Sequence, residues 1–172
     1  MNAVIRRAVA ADAEALALVG AASFLETYAG ELPAADILAH CSSQHAPEVY
    51  AGWLAGADYR LWIMEAEAGG APVGYAVLGP PDLPVATTAA DVEIKRLYLL
   101  HRFQGQGLGA GLMGATLDGA RQAGFGRALL GVFGRNHAAM GFYRRQGFDL
   151  VGERKFQVGA SLYDDFVLAR RL

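Results

Sequence analysis

The hydrophobic period of the chain changes several times, and each change marks the edge of an expected element. Residues 4–8 are a short strand candidate. Asp12 then stands where a helix cap is expected, ahead of Leu16, Val19, Gly20, Phe24 and Thr27 at helical spacing. Leu18, Ala22 and Leu25 give this helix a second apolar face, so it is expected to be covered on both sides until Tyr28-Ala29-Gly30 ends it. Residues 34–56 read as one or two weaker helices, broken near residues 42–47. Residues 59–67 and 72–78 are β-rich runs around Gly69-Gly70, which predicts a hairpin. After Pro80, Pro81 and Pro84, residues 91–100 form the next strand, with Val92, Ile94, Leu97 and Leu99 interleaved with Glu93, Lys95 and Tyr98.

A helix is expected from residue 107 to about 123, although Gly111, Gly114 and Gly119 each cost about 1 kcal/mol relative to alanine in a helix interior. Close packing on a sheet is the expected reason for them. Gly124 stops that helix, residues 128–133 form a buried strand, residues 136–146 a helix ended by Gly147, and residues 148–158 and 162–169 a final strand pair. The order is an antiparallel β half followed by a β-α-β-α-β-β half. This predicts an α+β fold with a mixed sheet.

The 172 residues are 53% hydrophobic, enough for one core and too few residues for two ordinary domains. A single domain over residues 1–172 is expected. With 15 basic against 17 acidic residues and a net charge of −2, no overall field exists to hold nucleic acid or an anionic membrane, so any polyanion site must be local. Lys95 and Lys155 are the only lysines; the remaining basic residues are arginines, whose forked guanidinium suits phosphate. The lone Cys41 excludes an intramolecular disulfide and reads as a small, partly buried side chain. Asp12 and Glu14 interrupt the stretch that could be mistaken for an export signal, and no uncharged run approaches the roughly 20 residues of a membrane span. A soluble, cytoplasmic protein is expected.

The strongest chemical signal is Gln104-Gly105-Gln106-Gly107-Leu108-Gly109, between a strand and a helix. Glycines let backbone N–H groups approach an anion, and the helix start adds about half a positive charge. A tight turn, a dinucleotide site and a cradle for the pyrophosphate of coenzyme A all fit. The Gly105-x-Gly107-x-x-Ala110 spacing matches a dinucleotide fingerprint, yet residues 127–135 lack the acidic residue that a ribose would need.

Three blocks discriminate further. Glu93-Ile94-Lys95-Arg96-Leu97-Tyr98-Leu99, then Gln104-x-x-Gly107-x-Gly109, then Asn136-x-x-Ala139-x-x-x-Tyr143-x-x-x-Gly147-Phe148 resemble, in order, the motifs of the GCN5-related N-acetyltransferase (GNAT) family. Phe24-Leu25-Glu26-Thr27-Tyr28 and the segment 152–172 look like the bacterial spermidine/spermine acetyltransferase branch. The resemblance implies a mixed, mostly antiparallel sheet of about seven strands with about four helices, splayed at a cleft for acetyl-CoA, the cofactor core covering about residues 91–148. Backbone groups of Leu97, Tyr98 and Leu99 would pair with the pantetheine arm as with an added strand. The amides of Gln104, Gly105, Gln106, Gly107, Leu108 and Gly109 would bind pyrophosphate, and Arg102, Arg144 or Arg145 would reach the 3'-phosphate.

Asn136 is by position a helix cap and, in the family, also a pantetheine contact; Ala139 and Phe142 would pack on the cofactor. Tyr143 would protonate the departing thiolate, and Glu93 would serve as base, directly or through water, for an amine that is protonated at neutral pH. Phe24 and Tyr28 would line the acceptor site. Glu26, Glu31 and Asp36 could attract a cationic polyamine there. His101 and His137 match no catalytic position, and no metal-ligand spacing exists. The implied reaction is direct attack of a small primary amine on acetyl-CoA; the alternatives are a protein or peptide amine acceptor, or a non-catalytic coenzyme-A-binding sensory module. The family also often forms homodimers.

Overall fold

The computed structural model describes residues 2–172. β1 (Ala3–Arg7), β2 (Arg60–Ala66), β3 (Pro72–Gly79) and β4 (Asp91–Leu99) are antiparallel neighbours in that order. β5 (Arg127–Phe133), β6 (Asp149–Val158) and β7 (Ser161–Arg171) complete a seven-stranded sheet ordered β1-β2-β3-β4-β5-β7-β6. The single parallel pairing, β4 with β5, covers only Asp91↔Arg127, Val92↔Ala128 and Glu93↔Leu129. The α+β mixed sheet read from the sequence is the observed architecture.

Five α-helices cover the two faces. α1 (Ala13–Tyr28), α2 (Ala34–Gln44) and α3 (Pro47–Ala55) resolve the weak helical region into two helices on either side of His45-Ala46. On one face Leu16, Val19 and Tyr50 pack on Leu61, Ile63, Tyr75 and Val77. On the other, α4 (Leu108–Gln122) and α5 (His137–Arg145) set Leu112, Met113, Leu117 and Met140 against Trp62, Met64, Ala76, Leu78 and Ile94. Alternate residues of β2 and β3 therefore feed opposite cores, as the period-two geometry of strands requires.

Two expectations are corrected. Asp12 does not cap α1: its carboxylate accepts the Val9 N–H at 2.7 Å and both terminal nitrogens of Arg6, and so closes the 3₁₀ turn Ala10–Asp12 instead. The second apolar face of α1 is uncovered, with Leu18 and Leu25 exposed. By contrast Gly69 and Gly70 adopt positive φ in the β2–β3 turn, as a two-glycine hairpin should.

The glycines of α4 divide by packing. A Cβ on Gly119 would fall inside the Trp62 ring, so the close approach to the sheet is real there. Gly111 would make only ordinary contact with Ile5, and Gly114 faces open space. Gly114→Ala should therefore stabilise the protein by about 1 kcal/mol through helix propensity alone. Gly119→Ala should destabilise it, because the Trp62 ring is packed in the core and has to move. Urea unfolding midpoints of the two variants check the contrast; equal shifts would refute it.

Candidate active site

Beyond Glu93 the β5-facing edge of β4 has no strand partner, because β5 turns away after Leu129. That unpaired edge runs from Ile94 to Leu99 and includes Leu97 and Tyr98. The Leu99 carbonyl already accepts a bond from the Gln104 side chain at 2.9 Å, which ties the glycine loop to the end of β4. Gly105 and Gly107 have φ of +73° and +80°, and Gly107 is the left-handed residue that starts α4 without any side-chain cap. The first-turn amides of α4 at Leu108 and Gly109 are thus uncapped, and no acidic residue sits in that turn. The Gln106 amide reaches the Arg102 carbonyl at 3.1 Å.

α5 brings the third block alongside. Asn136 caps it through its side-chain oxygen, which accepts the Ala139 N–H at 3.0 Å, as its position implied. Ala139 and Phe142 are partly buried against the α4/α5 core, and Phe142 is the nearest side chain to Gly109. Tyr143 is buried, with its ring edge-on to Phe142 and Phe148. Burial, and then the neighbouring Tyr98, raise its phenol above the usual range, so it stays protonated. Arg102, Arg144 and Arg145 are exposed and form no ion pair with any described residue.

On the opposite face a cleft of about 350 Å³ opens where the strands part. Glu93 lies in its wall together with Phe24, Tyr28, Tyr98 and the α2–α3 histidines His40 and His45. Glu93 is 5% exposed; its Oε2 accepts the Asp82 N–H at 2.7 Å and Lys95 Nζ at 2.8 Å, and its Oε1 takes no donor from a described residue. Asp165 of β7 also lines the cleft. Its Oδ2 accepts from Arg154 at 3.1 Å, while its buried Oδ1 has no partner, and burial raises its carboxyl despite the arginine. A bound ammonium is a natural donor to such an oxygen. Gly131 of β5 is required here, since a Cβ would occupy the Arg154 guanidinium.

Of the three acids expected to attract a polyamine, Glu26 and Asp36 hold backbone or hydroxyl groups of the protein itself. Asp36 accepts from Ala160 N at 3.0 Å and Ser161 Oγ at 2.5 Å, locking the β6–β7 turn, and Glu26 accepts the His101 N–H at 2.9 Å. Glu31 is an exposed loop residue.

The sequence reading assigned no role to Arg96, His45, Arg154 or Asp165. A signal for Arg96 existed: the apolar positions 92, 94, 97 and 99 skip a beat at residues 95–96. The structure places a β-bulge there, with Leu78 opposite Ile94 but Val77 opposite Arg96. The extra residue breaks the alternation, so that Glu93, Lys95, Arg96 and Tyr98 all reach the cleft.

The profile of the acetyltransferase (GNAT) family matches residues 21–148, and the chain belongs to that family. Uncharacterized N-acetyltransferases of Mycobacterium tuberculosis and Mycobacterium bovis are each 34% identical to it over 161 residues, covering 94% of this chain and 98% of theirs. Among solved structures, the PaiA N-acetyltransferase of Thermoplasma acidophilum in complex with coenzyme A superposes with a TM-score of 0.81 at 20% identity, both chains fully covered. A ribosomal-protein-alanine N-acetyltransferase of Brucella melitensis gives a TM-score of 0.68 at 24% identity over 98% of this chain and 99% of its own. Among the described residues no helix is long and apolar enough to cross a membrane.

The cleft histidines carry a measurable consequence. Burial, and then the Arg96 charge, lower His40 to about 4 and His45 to about 2, from an ordinary value near 6.5. Below 6.5 the unfolded chain therefore binds protons that the folded chain refuses, so stability is full above that pH and falls as the pH drops toward 4. For His45 alone the loss between pH 7 and pH 5 should be on the order of 2 kcal/mol. His45→Gln should show a correspondingly smaller loss in urea unfolding over that interval; an identical loss would contradict the assignment.

Proposed function

We propose that the protein transfers an acetyl group from acetyl-CoA to a primary amine of a small molecule, by direct attack within a ternary complex. The observation that carries this reading is the parting of β4 and β5 immediately beyond Glu93. It leaves a free strand edge on the route from the glycine loop to Tyr143, and an acceptor cleft on the same opening. Residues Leu97, Tyr98 and Leu99 offer that edge to the amides of a pantetheine arm. The first turn of α4, without a side-chain cap and without acid, suits a pyrophosphate, whereas the Gln104 N–H expected to join it is already donated to the His101 carbonyl at 3.0 Å. Asn136, Ala139 and Phe142 would flank the arm, and Arg145, exposed at the end of α5, is the candidate for the 3'-phosphate.

Acetyl-CoA supplies the thioester carbonyl carbon and a thiolate leaving group. The chain's own residues manage protons and position. Glu93, with Oε2 fixed by Lys95 and the Asp82 amide, has Oε1 available to take a proton from the acceptor ammonium, directly or through a water. The freed nitrogen forms its bond to the carbonyl carbon as the carbon–sulfur bond breaks, and its second proton leaves to neutralise the thiolate, through Tyr143 or a water, giving the amide and free thiol. Tyr143, a protonated phenol, would donate to the developing thiolate; because it is held above the thiol range, it would act first as a hydrogen-bond donor to sulfur, which stabilises the departing charge. Phe24 and Tyr28 would hold the acceptor's apolar part. A cleft of this volume is at the small end for ligand sites, which favours a small molecule over a folded peptide segment.

The test is thiol release from acetyl-CoA across a panel of amines, alongside calorimetric binding of coenzyme A. Release with a subset of amines is expected; binding without release from any amine would favour a sensory module. Tyr143→Phe should lower kcat by about 10²-fold while coenzyme A affinity is retained. An unchanged kcat would remove Tyr143 from the chemistry.

A further inference from the structure

Arg96 is a cation in the wall of the cleft without a carboxylate partner. The other two cleft cations are each neutralised, Lys95 by Glu93 at 2.8 Å and Arg154 by Asp165 at 3.1 Å. Asp82, the remaining acid on the cleft, is exposed and forms no ion pair with a described residue. Arg96 instead donates through Nη1 to Tyr50 Oη at 2.8 Å and His45 Nδ1 at 3.0 Å, and lies over the Trp53 ring at 4.9 Å. All of these partners are neutral: an Nδ1 that accepts from a guanidinium carries no proton. Tyr75, another neutral phenol, also hydrogen-bonds this guanidinium, and among the described residues no carboxylate reaches its fork. Burying a cation with neutral partners alone is unfavourable, and a forked donor pair suits a carboxylate above other groups of amino-acid size.

We propose that Arg96 anchors the acceptor by a carboxylate, so that the substrate class is a small amino acid whose amine points to Glu93 and the unpartnered Asp165 Oδ1. This rests on the acetyl-transfer reading and narrows its acceptor. The zwitterion meets both signs at once, its carboxylate at the fork of Arg96 and its ammonium at the open oxygens of Asp165 and Glu93. A polyamine meets only the second and brings further positive charge toward Lys95, Arg96 and Arg154.

The experiment compares matched acceptors on the full-length protein: methionine, phenylalanine and 4-aminobutyrate against methioninamide, phenethylamine and propylamine, with spermidine as the polycation. At least one carboxylate-bearing member should exceed its carboxylate-free partner by about tenfold or more in kcat/KM, the scale of one lost charge-assisted bond. Arg96→Gln should raise KM for that acid by a similar factor, leave its kcat and the KM of the carboxylate-free partner nearly unchanged, and be partly rescued by Arg96→Lys. A placement defect would instead move both substrates together. The three acids separate α- from ω-amino acids. Preference for spermidine or for the carboxylate-free amines overturns the proposal while leaving acetyl transfer intact. If no amine is acetylated, the transfer reading fails separately, and the anchor is read by quenching of Trp53, the tryptophan stacked on Arg96, with N-acetylmethionine. Saturable quenching that Arg96→Gln abolishes supports the anchor; quenching that survives the substitution, or none, overturns it.

Discussion

Between β4 and β5 the two halves of this sheet share only three parallel residue pairs, reinforced by the Asp91–Arg127 ion pair and by bonds from Gly126 and Arg127 to Ala90 and Ala86, and the site is arranged around that short seam. Asp91 and Arg127 face each other at its closed end, with two charge-assisted bonds of 2.8 and 2.7 Å. The Arg127 hydrogen bonds hold the Asp91 carboxyl down at about 2, so the clasp stays ionised across the whole physiological range. Beyond Glu93 the strands separate, and the backbone groups of β4 that would have paired with β5 are left for another partner. A strand edge in the middle of a sheet is costly unless something completes it. The seam is therefore short because the opening is what the fold is built to present.

Twist and bulge turn that opening into two different surfaces. On the α4/α5 side, Ile94, Leu97 and Leu99 pack into or against the core, so the backbone edge and the glycine loop face outward with little side-chain interference. On the α1–α3 side, the single extra residue at Lys95 delivers four polar side chains of β4 to one cleft. Strict alternation would have sent either Arg96 or its neighbours into apolar packing. The bulge is thus the local device that separates the cosubstrate edge from the acceptor cleft along one strand.

How much of this was legible in the sequence depended on whether the cause was local. Gly107, Gly124 and Gly147 stopped or started helices where their positive φ demanded it, and Asn136 capped α5, because these effects act over three or four residues. The order of strands and helices followed from periodicity for the same reason. Glu26 and Asp36 were misplaced because their partners, His101 and the β6–β7 turn, are chosen by the fold, 75 and 124 residues away; Asp12 found its partners Val9 and Arg6 only three and six residues back, on the N-terminal side instead of in the helix that follows. Asp165 and Arg154 looked like ordinary strand charges until β5 supplied Gly131 as the bare surface over which the guanidinium lies. Three-block spacing pointed to the family; the polar content of the cleft needed the coordinates.

The cleft also holds its charge constant while its contents titrate. His40 and His45 are kept neutral by burial and by Arg96, and burial pushes the phenols of Tyr28, Tyr98 and Tyr143 upward, so none of the five ionises near neutral pH. Glu93 and Asp165 carry their arginine or lysine partners with them. The protonation changes of turnover then fall on the entering amine and on the Glu93 carboxylate proposed to take its proton. An environment of fixed dipoles and paired charges does not have to reorganise as that proton leaves, and this preorganisation is where a site with so few reactive side chains can gain its rate. The neutral histidines are then not acid–base groups of the reaction: burial and the permanent charge of Arg96 keep them unprotonated, and His45 serves as a neutral acceptor for that guanidinium.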